Sequence, residues 1–294
     1  MSKRVLVIGS IAIDNTIYTS KLPSPGTTTI ADSYITNIGG KGANQACASM
    51  FLGASVTFIG AVGKDNNGKM VEEFLTQQHL DYRIKESNRP TGVAFIVIDE
   101  SNAENQILIV QGANTDITKE DIDKNLDLFR EGDILLTQFE NSVETVEYVV
   151  QKAKERGMIV VLNPAPIKKV NDSIYQYVDY LVPNEHELEQ LTDIKEPIKA
   201  CMNLLHKGCK NVIVTLGEKG SMLISKQAMI QVEPKKVKPV DTTAAGDTYL
   251  GALVAKLSLG EDIESAMNFA SKAAAFTVTR KGAIIALPHL SDLE

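Results

Sequence analysis

Short apolar runs alternate with stretches of helical periodicity through most of this 294-residue chain. Continuous apolar runs at 5–8 and 158–162 and largely apolar runs at 56–62 and 134–139 are each followed by glycine or polar residues, and the runs at 56–62 and 134–139 precede a helical pattern. Such runs are typical of parallel strands that are buried on both faces. A repeated strand–helix order places those strands in one sheet with helices on both sides. The chain is therefore predicted to be an α/β protein, with a three-layer α/β/α arrangement and a mostly parallel central sheet.

Two stretches depart from this alternation. Residues 15–38 are rich in Thr and Ile, and residues 91–111 contain two strand-like runs around a polar turn. We expect them to form a small β-sheet lid beside the main sheet, within a single unit that spans residues 1–294. The glycine-rich residues 39–45 are predicted to be a loop before a helix over 46–52, and residues 117–129 are predicted to be one helix.

Composition excludes several classes of partner and site. The formal charge of −7 argues against a nucleic-acid or membrane-surface protein. No apolar run reaches the roughly 18 residues that span a bilayer. The three cysteines, Cys47, Cys201 and Cys209, are scattered and odd in number. They predict buried thiols in a reducing cytoplasm, without disulfides or a cysteine metal site.

The segment Asp241–Thr248 reads DTTAAGDT and is followed by apolar residues at helical spacing. Small residues before a helix let backbone N–H groups approach an anion, and the helix dipole favours negative charge there. Asp247 would lie in the first turn, where a carboxylate can take a proton from a hydroxyl that attacks phosphorus. The alternative is that Asp247 only caps the helix and that 244–246 form a tight turn.

Two further places suggest a binding site at the carboxyl edge of the sheet. Asp14 follows the first strand, and its carboxylate could accept hydrogen bonds from two hydroxyls of a sugar. It could equally be a turn residue that caps the next segment. The run Gly39–Ala46, GGKGANQA, combines exposed backbone with the donors Lys41 and Asn44. Close packing of a helix on a sheet would also require such small residues.

Taken in order, six motifs resemble those of the ribokinase/PfkB-type carbohydrate kinases, over essentially the whole chain. GGKGANQA at 39–46 and DTTAAGDT at 241–248 are the most specific. The other four are LNPAP at 162–166, PNEHE at 183–187, TLGEKG at 215–220 and VTRKGA at 278–283. The resemblance implies ATP-dependent phosphorylation of the primary hydroxyl of a sugar, with ribose as the leading substrate. It also implies Mg²⁺, an activating K⁺ and a homodimer formed through the β-lid.

The resemblance assigns roles residue by residue. It implies that Asp247 is the general base and that Ala245 and Gly246 belong to the anion hole. The residues that match sugar contacts are Ala12, Asp14, Gly40, Lys41, Gly42, Asn44, Glu140 and Asp247. Those that match the nucleotide site are Asn184, Thr215, Gly217, Glu218, Gly220, Gly246 and Ser271. Glu187 matches a Mg²⁺ ligand that acts through water. The K⁺ site, mostly backbone carbonyls, would comprise Asp241, Thr243, Thr277, Arg280, Gly282 and Ala286.

Several positions differ from the family pattern. Ala12 replaces an Asn of the sugar site, and an unpaired sugar hydroxyl there would cost about 1–3 kcal/mol. Related deoxyribokinases also lack that Asn, so 2-deoxyribose, another pentose or a nucleoside is an alternative substrate. Thr27 replaces a Glu near the lid, Ser271 a His or Asn near adenosine, and Ala286 a Ser of the K⁺ site. A catalytically silent sugar-binding regulator is the third hypothesis, although Asp247, Asn184 and Glu187 are all present.

Overall fold

The computed structural model describes residues 2–24, 26–99, 101 and 104–294. Positions 25, 100, 102 and 103 of the predicted lid lie outside the described residues. The strands are β1 (Arg4–Ile8), β2 (Ala12–Thr19), β3 (Ser33–Gly39), β4 (Ser55–Gly63), β5 (Asp81–Ser87), β6 (Gly92–Asp99), β7 (Glu104–Val110), β8 (Ile134–Gln138), β9 (Ile159–Asn163), β10 (Tyr180–Leu181), β11 (Asn211–Thr215), β12 (Ser221–Ser225) and β13 (Met229–Val232). The helices are α1 (Lys41–Phe51), α2 (Asn66–Gln77), α3 (Lys119–Asp123), α4 (Val143–Glu155), α5 (Glu185–Thr192), α6 (Pro197–His206), α7 (Ala245–Ser258) and α8 (Ile263–Thr277).

The large sheet has nine strands in the order β13-β12-β11-β10-β9-β8-β1-β4-β5. All neighbours from β11 to β5 are parallel, and only the hairpin β12–β13 adds antiparallel pairs at one edge. A parallel sheet must be covered on both faces. This order confirms the predicted α/β class with a mostly parallel central sheet.

Alternation along the central strand β1 shows how the layers form. Val5 and Val7 join one apolar cluster, which includes side chains of α1, α2, α7 and α8. Leu6 and Ile8 join the opposite cluster, which includes side chains of α4, α5 and α6. Successive side chains of a strand point to opposite faces. The uninterrupted apolar run therefore supplies both halves of the core at once.

The second sheet has four strands in the order β3-β2-β6-β7. Only three residues separate the end of β1 from Ala12, the first residue of β2. Ala12 pairs with Gly39 on β3 and with Gly92 on β6. The small sheet therefore stands at the carboxyl ends of the central strands. This is where the sequence predicted a lid, although its first strand begins three residues earlier than expected.

Two element predictions were wrong, and one strand was missed. Helix α1 begins at Lys41, so most of the predicted glycine loop is helical. The predicted helix 117–129 is a five-residue α3, capped by Thr118 and Asp121, followed by a 3₁₀ turn at Leu126–Leu128. Strand β5 was not predicted, because as an edge strand it alternates partly buried and exposed side chains and lacks an apolar run.

The three cysteines are free and buried, as predicted, and burial raises the pKa of each thiol to about 12. Thiols this far from ionisation are poor nucleophiles and act as small apolar groups. Across the ranges given above, no helix combines the length and apolarity needed to cross a membrane.

Candidate active site

Asp14 lies within strand β2, opposite Asn37 and Ala94, so it does not cap a turn. Gly39 on the neighbouring strand leaves room for its carboxylate, which a Cβ at that position would overlap. Burial, followed by the nearby carboxylates of Glu140 and Asp247, raises the pKa of Asp14 to about 7. The site therefore holds a carboxyl group whose charge changes near neutral pH.

Helix α1 is capped by a residue 99 positions further along the chain. The backbone N–H of Lys41 donates to Glu140 Oε2 at 3.0 Å, and the Ser10 hydroxyl donates to the same oxygen. The N–H of Gly42 in turn donates to Ser10 Oγ at 3.3 Å. A Cβ on Gly42 would meet the backbone of Ser10. The glycines thus allow α1 to start directly against the β1–β2 turn, with its positive end in the site.

The Asp247 carboxylate accepts hydrogen bonds from two consecutive residues of α1. Asn44 Nδ2 donates to Oδ2 and Gln45 Nε2 donates to Oδ1, each at 2.9 Å. Asp247 is 7% exposed and lies in the first turn of α7. The helix cap is Ala244, and no side chain caps it. The simple capping interpretation of Asp247 is therefore wrong, and its carboxylate instead faces α1.

The backbone at the start of α7 leaves N–H groups open, although the N–H of Ala245 donates to the Thr242 carbonyl at 3.2 Å. Ala244 adopts the left-handed conformation, with φ of 59°, and the helix begins at the next residue. The first N–H groups of a helix have no partner within it. Gly246 is exposed, and a Cβ there would meet open space. Free N–H groups beside the Asp247 carboxylate can therefore contact a phosphoryl group.

Lys41 brings a cation into this group of carboxylates. Burial alone would lower the pKa of its ammonium, but Asp247, Glu140 and Glu187 outweigh burial and raise it. Lys41 therefore stays protonated at neutral pH. Its charge is available to phosphate oxygens that enter between the two helix N-termini.

Asn184 and Glu187 first serve to start helix α5. The Asn184 side chain accepts from the Glu187 N–H, and Glu187 Oε2 accepts from the Asn184 N–H, each at 2.8 Å. Burial raises the pKa of Glu187, although the hydrogen bond from Asn184 and the charge of Lys41 oppose it. Asn184 also forms a parallel β-bridge with Thr215. The two segments therefore lie side by side at the sheet edge.

The predicted nucleotide turn is a 3₁₀ turn at Gly217–Lys219. Gly217 and Gly220 both have positive φ, of 57° and 87°. A Cβ on Gly220 would collide with the carbonyl of Val232, so the turn packs directly on β13. Glu218 is exposed. Ser271 lies on α8, which packs against the same strand.

Asp241 joins the two segments of the predicted cation site. Its Oδ1 accepts from the Thr243 N–H and its Oδ2 from the Gly282 N–H, each at 2.9 Å. Thr277 ends α8 and its carbonyl accepts from the Arg280 N–H at 3.0 Å. Ala286 is buried in the 3₁₀ turn Ile284–Ala286. The Asp241 carboxylate therefore joins the segment before α7 to the segment after α8.

Several site residues were not identified from sequence. Ser10, Gln45 and Gln138 are each at most 1% exposed and bond to the carboxylates or to each other. Gln45 lies inside the GGKGANQA motif, and Gln138 is polar at the end of a buried strand. A polar residue in such a position was an available signal. The structure groups the predicted sugar and catalytic residues around one edge: Asp14, Gly40, Lys41, Gly42, Asn44, Glu140 and Asp247.

Comparison with known proteins agrees with this geometry. A family model described as pfkB family carbohydrate kinase matches residues 2–290. A ribokinase of Haemophilus influenzae is 37% identical, with 98% of this chain and 96% of that protein covered. A deoxyribokinase of Salmonella typhi is 36% identical, again covering 98% and 96%. The structure of Arabidopsis thaliana ribokinase complexed with ribose and ATP has a TM-score of 0.91 at 33% identity, covering 100% of this chain and 98% of that one.

Proposed function

This chain belongs to the pfkB family of carbohydrate kinases, and we propose that it transfers the γ-phosphoryl group of ATP to the 5-hydroxyl of D-ribose. The products are ribose 5-phosphate and ADP. The observation that carries this proposal is the Asp247 carboxylate, held by Asn44 and Gln45 beside the open N-terminus of α7. A proton acceptor next to an anion site is what transfer of a phosphoryl group to an alcohol requires.

Asp247 takes the proton of the attacking hydroxyl as the oxygen–phosphorus bond forms and the bond to ADP breaks. Negative charge spreads over the phosphoryl oxygens, where the N–H groups of Gly246 and its neighbours and the ammonium of Lys41 stabilise it. Asn44 supports a sugar at this position, because its Oδ1 is buried and accepts no hydrogen bond within the described residues. A sugar hydroxyl can donate to that oxygen while Asn44 Nδ2 holds the base.

The residues present fit the two metal ions of this proposal. Glu187 uses Oε2 to cap α5 and keeps its other oxygen for a water of Mg²⁺, which favours few carboxylates and many waters. Bound Mg²⁺ supplies charge neutralisation on the ATP phosphates, and K⁺ supplies order in the loops that flank the anion site. Backbone carbonyls of the two segments that Asp241 joins would hold K⁺.

The direct test is ADP release from Mg-ATP with ribose, 2-deoxyribose, other pentoses, fructose and nucleosides, each with K⁺ or with Na⁺ alone. Ribose-dependent release supports the proposal, and faster release with K⁺ supports the cation site. The absence of turnover with every sugar, together with measurable ATP binding, would instead favour the silent regulator.

The Asp247→Asn variant tests the proposed base. It keeps the shape of the side chain but cannot accept the proton, so kcat should fall by about 10² to 10⁴. ATP affinity should change little. Its turnover is measured at saturating ribose and ATP beside the unchanged enzyme, and a variant with near-normal kcat would remove Asp247 from the mechanism.

Phosphorylation of 2-deoxyribose is the second candidate, and Ala12 favours it. Ala12 is 7% exposed beside Gly40 and offers no polar atom to a hydroxyl. An Ala12→Asn variant should raise the preference for ribose over 2-deoxyribose by about tenfold or more, since one hydrogen bond contributes about 1.5 kcal/mol. The ratio of the two kcat/KM values is the measurement. An unchanged ratio would show that position 12 does not select the sugar.

We place the dimer contact on the lid and the reaction in the cytoplasm. Strands β3, β6 and β7 expose apolar side chains that include Tyr34, Phe95 and Leu108. An exposed apolar sheet with an open edge is a surface that soluble proteins usually cover. A second copy of this chain would cover it with the same surface.

Free buried thiols and the use of ATP both suit a reducing compartment.

A further inference from the structure

Three fully or nearly fully buried amides form a chain of hydrogen bonds behind the Asp247 carboxylate. Gln45 Nε2 donates to Asp247 Oδ1 at 2.9 Å and also to Asn163 Oδ1 at 3.3 Å. Gln45 Oε1 accepts from Gln138 Nε2 at 2.6 Å. Gln45 and Gln138 are 0% exposed and Asn163 is 6% exposed. Both N–H groups of the Gln45 amide and its carbonyl oxygen therefore have partners.

The direction of these bonds is set by the backbone. Asn163 Nδ2 donates to the carbonyl of Val182 at 3.0 Å, and a carbonyl can only accept. Asn163 must therefore turn its oxygen toward Gln45, which must then present its NH₂ group. If the Gln45 amide were rotated by half a turn, its oxygen would face both Asn163 Oδ1 and the Asp247 carboxylate. The amide is thus fixed as a donor toward Asp247.

We infer that Gln45 is a positioning residue for Asp247, and that Asn163 and Gln138 hold the Gln45 amide in its donor orientation. This inference rests on the proposed function, because it concerns the same base. Each oxygen of Asp247 accepts one amide N–H, from Gln45 or Asn44, and retains lone pairs for the substrate hydroxyl. The two bonds fix the plane of the carboxylate. Neither amide donor needs to touch the sugar for this effect.

Gln45→Met is the variant of choice, since methionine fills a similar volume without a polar group. We expect kcat to fall roughly tenfold to a hundredfold while the KM values for ribose and ATP stay within about twofold, because the lost bond acts on the base. Asn163→Leu, which keeps the Gln45 donor, should lower kcat less than Gln45→Met does and also leave the two KM values within about twofold.

Asn211→Leu is the matched control, because it also removes an amide hydrogen bond. Asn211 Nδ2 donates to the carbonyl of Asp179 at the amino end of β11, away from the carboxyl edge of the sheet. This variant should lower the melting temperature and leave kcat and the two KM values unchanged.

A double-variant cycle separates positioning from general loss of structure. In the Asp247→Asn background there is no carboxylate to hold, so adding Gln45→Met should change the residual kcat by less than about twofold. Equal losses in both backgrounds, or a Gln45→Met variant whose KM values rise while kcat is unchanged, would overturn the inference while the proposed function stands. If the unsubstituted enzyme phosphorylates no sugar, the proposed function fails, and the inference fails with it.

Discussion

Asp14 is the residue whose protonation should control sugar binding. Its pKa is raised to about 7 by burial and by Glu140 and Asp247, whereas the unfolded chain would have a value near 3.8. In the complex that we propose, hydroxyls of the sugar would donate to the ionised Asp14 carboxylate. The KM for ribose should therefore rise as pH falls below 7, by at most about tenfold per unit.

The raised pKa of Asp14 also makes the free energy of unfolding depend on pH. Between pH 4 and pH 7 the folded protein binds more protons at Asp14 than the unfolded chain does, so this group makes the free energy of unfolding fall as pH rises through that window.

The Asp14→Asn variant removes this carboxyl group from the pH dependence of ribose binding and of stability. Ribose KM measured from pH 5.5 to 8 should lose its acidic rise in this variant, at the cost of weaker binding at pH 8. A rise that persists unchanged would assign it to another group.

At the scale of elements, the contact between α1 and α7 sets the geometry of the base. Gly251 lies one turn after Asp247, and a Cβ there would collide with Ala48 and lie 2.9 Å from the Ser49 nitrogen. The glycine lets the two helices approach until Asn44 and Gln45 reach the carboxylate. This approach connects residues that are more than 200 positions apart.

Gly251→Ala should therefore separate the helices. Overpacking costs about 1–3 kcal/mol, which exceeds the gain of about 1 kcal/mol from better helix propensity. We expect a net loss of up to about 2 kcal/mol in denaturant unfolding and a lower kcat. Ala48→Gly in the same chain removes the nearest clash and should restore part of the lost kcat, while its own helix-propensity cost of about 1 kcal/mol offsets the stability regained. A stabilised Gly251→Ala variant with full activity would show that the contact is not tight.

The same elements show what sequence could and could not predict. Strand β1 and helix α7 were predicted correctly, because local apolar patterns determine them. Helix α1 was predicted to begin too far along the chain. Its first N–H group donates to Glu140, and Gly42 packs on Ser10. These contacts are distant in sequence, so no local pattern could predict them. The motifs located Asn44 and Asp247 separately. Their hydrogen bond, and the support of Gln45 by Asn163, depend on tertiary packing.

At the scale of the whole molecule, the lid links the sugar site to the outer surface. Strand β2 carries Asp14 and pairs with β6, whose other neighbour β7 exposes Ile107, Leu108 and Ile109. A dimer through the lid would therefore stabilise β2, which carries Asp14.

Leu108→Lys tests this arrangement, because Leu108 is 72% exposed on strand β7. Burial of a leucine stabilises an association by about 1.5–3 kcal/mol, and a charge at the same place opposes it, so dimer Kd should weaken roughly a hundredfold or more. Sedimentation velocity would detect the monomer. Ile198→Lys on α6, where the side chain is 42% exposed, is the matched control and should stay dimeric.

We expect the monomeric Leu108→Lys variant to keep kcat within about threefold and to bind ribose more weakly, since an unsupported lid orders Asp14 less well. If Leu108→Lys stays dimeric, or if its kcat collapses with ribose KM unchanged, the lid does not act in this way.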